Sequence, residues 1–393
     1  MRLPLSLRLP VCLRHSHPTC SKKPTMAENE IQVADPPTDG ITALRFSPDG
    51  AGLLASSWDA TLRLYDLHAS AALAMPPLSM PCPVLDCDFL GDGATAVSAG
   101  LDGSVRRHHL GRVGGTNGTN GTSQQQQQRQ PLPPEATSVL GSHESAARCV
   151  RACDAMGPAC AVSGSWDKTL KMWDVRASAA CVSTYAQPDK VLSLCAGGPS
   201  SSAASGAPPL LVVATQGRHI ALYDLRSPSE PMQKRESSVK SQTRTVVQMP
   251  SAEGFALGSV DGRAAIEYVD PSEEAQSKRY AFKPHRTSVG GVDMAFPVNA
   301  ICFHPSYTSS FATGGADGIV HVWDGAKKKK ICSLPRYPTS VACMAFSPGA
   351  GDKLAIAASY TWEMGEQAHP PDAIIVRSMS DSEVKPKAAK AAK

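Results

Sequence analysis

The sequence predicts an all-β ring, a seven-bladed β-propeller closed by an N-terminal strand. Three observations point there. A segment built on an Asp-centred tight turn recurs along the chain, most clearly around Asp59, Asp167 and Asp317. The residues after each turn alternate in polarity, the period of a strand with one buried face. The first two turns, at Asp59 and Asp102, stand 43 residues apart, and a propeller blade of this kind takes ~40–45 residues.

The copies follow in order. Ser56-Ser57-Trp58-Asp59 leads into Thr61–Asp66, and Gly164-Ser165-Trp166-Asp167 leads into Thr169–Asp174. Gly315-Ala316-Asp317 leads into a strand ending at Trp323-Asp324. Weaker copies lie at Gly100–Val105, Thr215–Asp224 and Ser259–Ile266, and a degenerate seventh begins at Ala357. Before them stand alternating strands that end in a Ser-Pro or His-Pro turn, as Ile41–Phe46, Val298–Phe303 and Val341–Phe346 do. This order, with Trp-Asp closing the third strand, resembles the WD repeat. His143, Ser163, Asp167 and Trp173 have the spacing of the hydrogen-bonded set that braces such a blade. A Ser-His-Asp catalytic triad is the competing reading, but no nucleophile elbow accompanies it.

An open ring leaves sheet edges exposed. Glu30–Val33 is therefore expected to pair with Ala373–Arg377 and close it. The propeller is expected to span residues 26–380, with disordered loop insertions at 111–137 and 197–209. The second is rich in Ser, Ala, Gly and Pro, and the first carries five consecutive glutamines from Gln124. Residues 1–25 form an Arg-containing extension without acids, expected to be disordered or not translated, a leader ahead of a start at Met26, with a transit-type segment as the alternative. Residues 381–393 are expected to be a flexible basic tail.

Composition narrows function. Net charge is +4, and the basic residues are dispersed apart from Lys327–Lys330 and the tail. A nucleic-acid binder would concentrate them, so no nucleic-acid partner is expected. Lys327–Lys330 is expected on an outer hairpin, with a nuclear-import signal as the alternative. No apolar run approaches the ~20 residues of a membrane span. The 12 cysteines show no zinc-ribbon spacing, and Cys12, His15, His17 and Cys20 lie in the N-terminal extension. No metal and no cofactor is expected. The phosphate, dinucleotide and metalloprotease motifs are all missing. The chain reads as a binding platform and not as an enzyme.

Trp58 and Trp166 stand just before their turn aspartates, where the other copies hold Leu101, Gln216, Val260 and Ala316. A cap on each blade is thus not obligatory. Exposed tryptophan is costly without use, and it is the residue most enriched at binding hot spots.

From residue 29 to about 387 the chain resembles the WD-repeat mitotic-checkpoint family that partners Bub-type kinases. The carrying segments lie off the repeat: Arg235–Arg244, Gly258–Asp270, Tyr280–Arg286, Phe296–Ile301, Arg336–Ser340, Trp362-Glu363-Met364 and Val384–Lys387. The resemblance implies binding to the acidic GLEBS motif of a checkpoint kinase and of its adaptor relative. It implies Trp58, Trp166 and Arg244 as contacts for that motif. It further implies that Arg263 and Lys283 hold a phosphothreonine in Met-Glu-Leu-Thr repeats of a kinetochore scaffold, with His285 and Arg286 as support. The expected location is the nucleus, and kinetochores in mitosis. Ser241 and Pro284 depart from the family's usual Tyr and Cys. Two alternatives stay open: the related nuclear-pore and mRNA-export protein, also a GLEBS binder, and a ubiquitin-ligase substrate receptor.

Overall fold

A computed structural model describes residues 27–68, 71–113, 136–197, 208–289 and 291–386. Seven antiparallel sheets are arranged as blades around a central channel. The inner strands are Ile41–Phe46, Val84–Phe89, Ala147–Ala152, Val191–Gly197, Thr243–Gln248, Val298–Phe303 and Val341–Phe346. Each inner strand packs on the next, and the seventh packs back on the first.

The second strand of each blade explains the small-residue pattern. Gly52–Ser57, Thr95–Gly100, Cys160–Ser165, Leu210–Thr215, Gly254–Ser259 and Ser310–Gly315 are buried along their whole length. A neighbouring blade covers each face, so there is room only for small or slim side chains. At Gly164 a Cβ would lie 2.5 Å from the Val191 side chain, and at Gly314 2.5 Å from Val341. In both places the next blade's first valine fills the space that glycine leaves. The apolar cores therefore lie between blades. Leu44 and Leu53 of blade one, for example, share a cluster with Ala357 and Ile374 of blade seven.

The ring closes through the N-terminal strand. Glu30–Gln32 runs antiparallel to Ala373–Ser378, with Ile31 opposite Val376. Val33 lies just past the strand and still donates its N–H to Ile374 O at 3.0 Å. The Glu30 carboxylate is almost fully buried. It accepts from Arg377 Nη1 at 2.8 Å and from the Tyr337 hydroxyl at 3.0 Å.

Three expectations about boundaries need correction. The tail does not begin at 381. Asp381–Val384 forms one helical turn with a Ser380–Glu383 capping box. Val384 is buried against blades six and seven, and its carbonyl accepts from Ser310 Oγ at 2.7 Å. One apolar residue in a polar ending docks the segment, and Arg377 Nη2 holds Glu383 at 2.8 Å. Residue 137 is likewise no loop: Thr137–Ser142 is the outer strand of blade two, paired with Ser104–His109. Gly197 ends a strand paired with Leu210. Residues 114–135 and 198–207 of the insertions, residues 1–25 with their Cys and His residues, and the last lysines lie outside the described residues. Lys329–Ser333 forms the outer strand of blade six. An unexpected hairpin, Arg286–Val289 with Val292–Ala295, projects between blades five and six. No described helix is long and apolar enough to cross a membrane.

Candidate peptide-binding site

The His-Ser-Asp grouping of blade three lies inside the blade. His143 Nε2 meets Ser163 Oγ at 2.7 Å, and Trp173 Nε1 donates to the same oxygen at 2.8 Å. His143 Nδ1 meets Asp167 Oδ2 at 3.1 Å and Thr169 Oγ1 at 2.9 Å. Burial pushes the His143 pKa down, so the ring is neutral. The Ser163 hydroxyl is saturated by its neighbours and closed to substrate. Blade six repeats the set. His285 bridges Asp317 at 3.0 Å and Thr313 at 3.1 Å, and Trp323 Nε1 donates to Thr313 at 3.0 Å. Blade two keeps a shorter version, in which Ser98 meets His108 Nε2 at 2.8 Å. In all three the hydroxyl stands 10 residues before its aromatic partner. Ten-residue spacing was the readable signal, and Thr313 in place of serine concealed it.

His285, Asp317 and His321 could together hold a metal ion. Both His285 nitrogens are already engaged by Asp317 and Thr313. Burial pushes His321 down to about 4. The geometry fits a blade brace rather than a metal centre.

Three of the five functional candidates lie at the channel. All seven inner strands line one cavity of about 950 Å³, and Trp58, Trp166 and Arg244 share its wall. The turn aspartates set up the two tryptophans. Asp59 accepts the Thr38 N–H at 3.0 Å and the Thr61 N–H at 3.0 Å, and Asp167 accepts the Glu144 and Thr169 N–H groups, each at 2.9 Å. With the turn pinned, the residue before each aspartate is held at the rim. Trp58 keeps 44% of its surface exposed. Its ring rests on Gly40, where a Cβ would come within 3.1 Å of Cδ1. Trp166 is half-buried.

Charge in the cavity is uneven. Arg45 and Arg151 both pair with Asp86. Arg148 and Arg244 also line the wall, and neither guanidinium has a hydrogen bond or ion pair among the described residues. Burial lowers the Arg244 pKa, and Arg148 adds to that shift while Glu363 opposes it. Arginine does not give up its proton in a protein. The shift therefore reflects the cost of burying that charge, which Glu363 offsets only in part. Arg148, Asn299 and Trp362 are wall residues that the repeat pattern does not single out.

Arg263 and Lys283 lie outside this cavity. Ala264 pairs with Phe282, so the antiparallel register sets Arg263 opposite Lys283 at the end of the strand pair. Arg263 Nε holds Asp261 at 3.0 Å, and Arg286 Nη2 donates to the Asp261 carbonyl at 2.9 Å. Lys283 is exposed. The structure thus brings the five candidate contacts together as two separate groups.

Comparison with known proteins agrees with this frame. The family model described as WD domain, G-beta repeat, matches residues 29–66, 135–174 and 279–324. The chain is 43% identical to mitotic checkpoint protein BUB3.1 of Arabidopsis thaliana, over 91% of this chain and 94% of that protein. It is 36% identical to mitotic checkpoint protein bub3 of Dictyostelium discoideum, over 93% and 99%. It is 32% identical to a poly(A)+ RNA export protein of Schizosaccharomyces pombe, over 92% and 93%. A closed WD ring, matched at these identities along nine-tenths of its length, belongs to the BUB3 family of mitotic checkpoint WD-repeat proteins.

Proposed function

We propose that this chain acts as a spindle-assembly-checkpoint adaptor through two anion-binding surfaces. The channel mouth takes the acidic GLEBS motif of a checkpoint kinase or of its adaptor relative. The Arg263–Lys283 pair takes a phosphothreonine in the Met-Glu-Leu-Thr repeats of a kinetochore scaffold. Binding both brings checkpoint proteins to unattached kinetochores. The propeller is a scaffold, so its work is binding and not catalysis.

One observation carries the reading: Trp58, Trp166 and an Arg244 that makes no ion pair among the described residues share one cavity wall. A peptide glutamate there would form a charge-assisted pair in a partly desolvated place, where such a pair is stronger than at the surface. The two indoles would supply the apolar area that fixes the peptide. For the second surface, a phosphothreonine carries close to two negative charges and three acceptor oxygens, enough for two cations at once.

The test is calorimetry with a GLEBS peptide on the wild type and on Trp58→Ala with Arg244→Glu. Binding is expected to be lost in the double variant, and equal binding would remove the channel-mouth site. The mRNA-export reading also uses GLEBS motifs, and the 32% identity to an export protein favours it less than the 43% identity to a checkpoint protein. Localisation after microtubule poisoning separates the two: kinetochores for the adaptor, the nuclear rim for the export factor.

A further inference from the structure

A third tryptophan, Trp362, lies on the cavity wall. It is 56% exposed, and Met364 beside it is 75% exposed. Neither belongs to the apolar clusters between the blades. The Trp362 backbone sits at φ 61°, in the left-handed region that bulky side chains enter only when their surroundings impose it.

The imposing group is Tyr360. Its hydroxyl accepts the Met364 N–H at 3.0 Å and donates to Gly365 O at 3.0 Å. Gly365 N–H closes the turn on Trp362 O at 3.1 Å. The Tyr360 ring packs near the Trp362 indole, with centroids 6.2 Å apart. Asn299 ties the loop to blade six, since its Nδ2 donates to Thr361 Oγ1 at 3.3 Å and to Val341 O at 3.0 Å. Asn299 lines the cavity, is nine-tenths buried, and leaves its Oδ1 without a hydrogen-bond partner. The last blade therefore presents an exposed indole on a left-handed backbone that Tyr360 and Asn299 hold in place. The indole is on the wall that also carries Arg148 and Arg244, neither of which forms an ion pair among the described residues.

We infer that Trp362 is a third anchor for the acidic peptide, its indole taking an apolar side chain of that peptide, with Asn299 as the residue that positions the loop presenting it. This rests on the channel-mouth reading above. The occupant is a peptide because the site needs two things along one strand: a carboxylate for the arginines and an apolar side chain for the indole. The exposed Met364 widens the apolar contact. Glu363, between the two, acts electrostatically on Arg244 without pairing with it.

The experiment is calorimetry of a GLEBS-motif peptide with the full chain as wild type, Trp362→Ala, Trp362→Phe, Trp362→Gly and Trp58→Ala. Trp362→Ala is expected to weaken binding about tenfold, the cost of a moderate hot spot. Trp362→Phe keeps an aromatic face and is expected to stay within about threefold of wild type. Trp362→Gly relaxes the strained backbone and is expected to bind as weakly as Trp362→Ala, with melting temperatures unchanged or raised. If Trp362→Ala or Trp362→Gly binds like wild type while Trp58→Ala loses affinity, the third anchor is wrong and the channel-mouth site stands. If no variant loses affinity, the channel-mouth site falls as well.

Discussion

Arg244 and Arg263 are both offered to an anion, but they wait for it in opposite states. Arg244 is partly buried on the channel wall with no acid bound to it, beside a second unpaired arginine. Arg263 lies at the blade edge, one-third exposed and already paired with Asp261. The first site lacks an anion that only a ligand can bring. The second must exchange an internal carboxylate for a phosphate. The difference suits the two ligands: a glutamate with one charge needs an empty, desolvated cation, whereas a dianion can displace a monoanion in water.

The largest expected effect breaks the first half of the comparison. Arg244→Glu with Trp58→Ala is expected to weaken an acidic GLEBS peptide at least about a hundredfold, because it removes a buried cation and an aromatic anchor together. Calorimetry reads it, and the phosphopeptide should be unaffected. Arg263→Ala is the mirror test. It is expected to cost a phosphorylated Met-Glu-Leu-Thr peptide about tenfold, as one charge-assisted hydrogen-bond set does, and to leave the acidic peptide alone. If each variant weakens both ligands, the two surfaces are one site. Asp261→Asn sharpens the exchange argument. It frees Arg263 of its competitor and is expected to raise phosphopeptide affinity about threefold by fluorescence anisotropy, and a fall would show that Asp261 positions Arg263 instead.

Acid gives the smallest effect. The second phosphate pKa is about 6 and peptide carboxylates titrate near 4.3. Lowering the pH from 7 to 5.5 is therefore expected to cost the phosphopeptide about threefold and the acidic peptide almost nothing. The scaffold follows its own curve. Burial pushes His108 down to about 3, below its unfolded value near 6.5. The unfolded chain then binds the extra proton first, so stability is complete above about 6.5 and declines as pH falls toward 3. A melting temperature a few degrees lower at pH 5 than at pH 7 is the expected reading, and an unchanged one would mean His108 is not held neutral by the fold.

The ring was legible because a blade is built from repeated local rules: a small-residue strand, an Asp turn, an alternating strand. Trp58 and Trp166 were legible as breaks in the rule, since neighbouring blades hold Leu101 or Gln216 at that position. Arg244 was reachable only through resemblance, because nothing local tells a channel arginine that pairs, such as Arg151, from one that does not. The blade-six brace was concealed by a threonine, and Trp362 by the degeneracy of the last copy. The Asp381–Val384 turn was missed because one buried valine outweighs a polar, lysine-rich surrounding, a balance composition cannot show.

The clasp has a consequence in time. A ribosome makes Glu30 near the beginning and Arg377 near the end, yet the two share a buried ion pair in one blade. Each of the five middle blades packs on neighbours made just before and just after it, but the first and the last meet only across a loop spanning nearly the whole chain. Such long-range closure is entropically costly and slow. The ring is therefore shut after synthesis rather than during it, and until then the free edges of its two terminal blades are the part of the molecule in need of a chaperone.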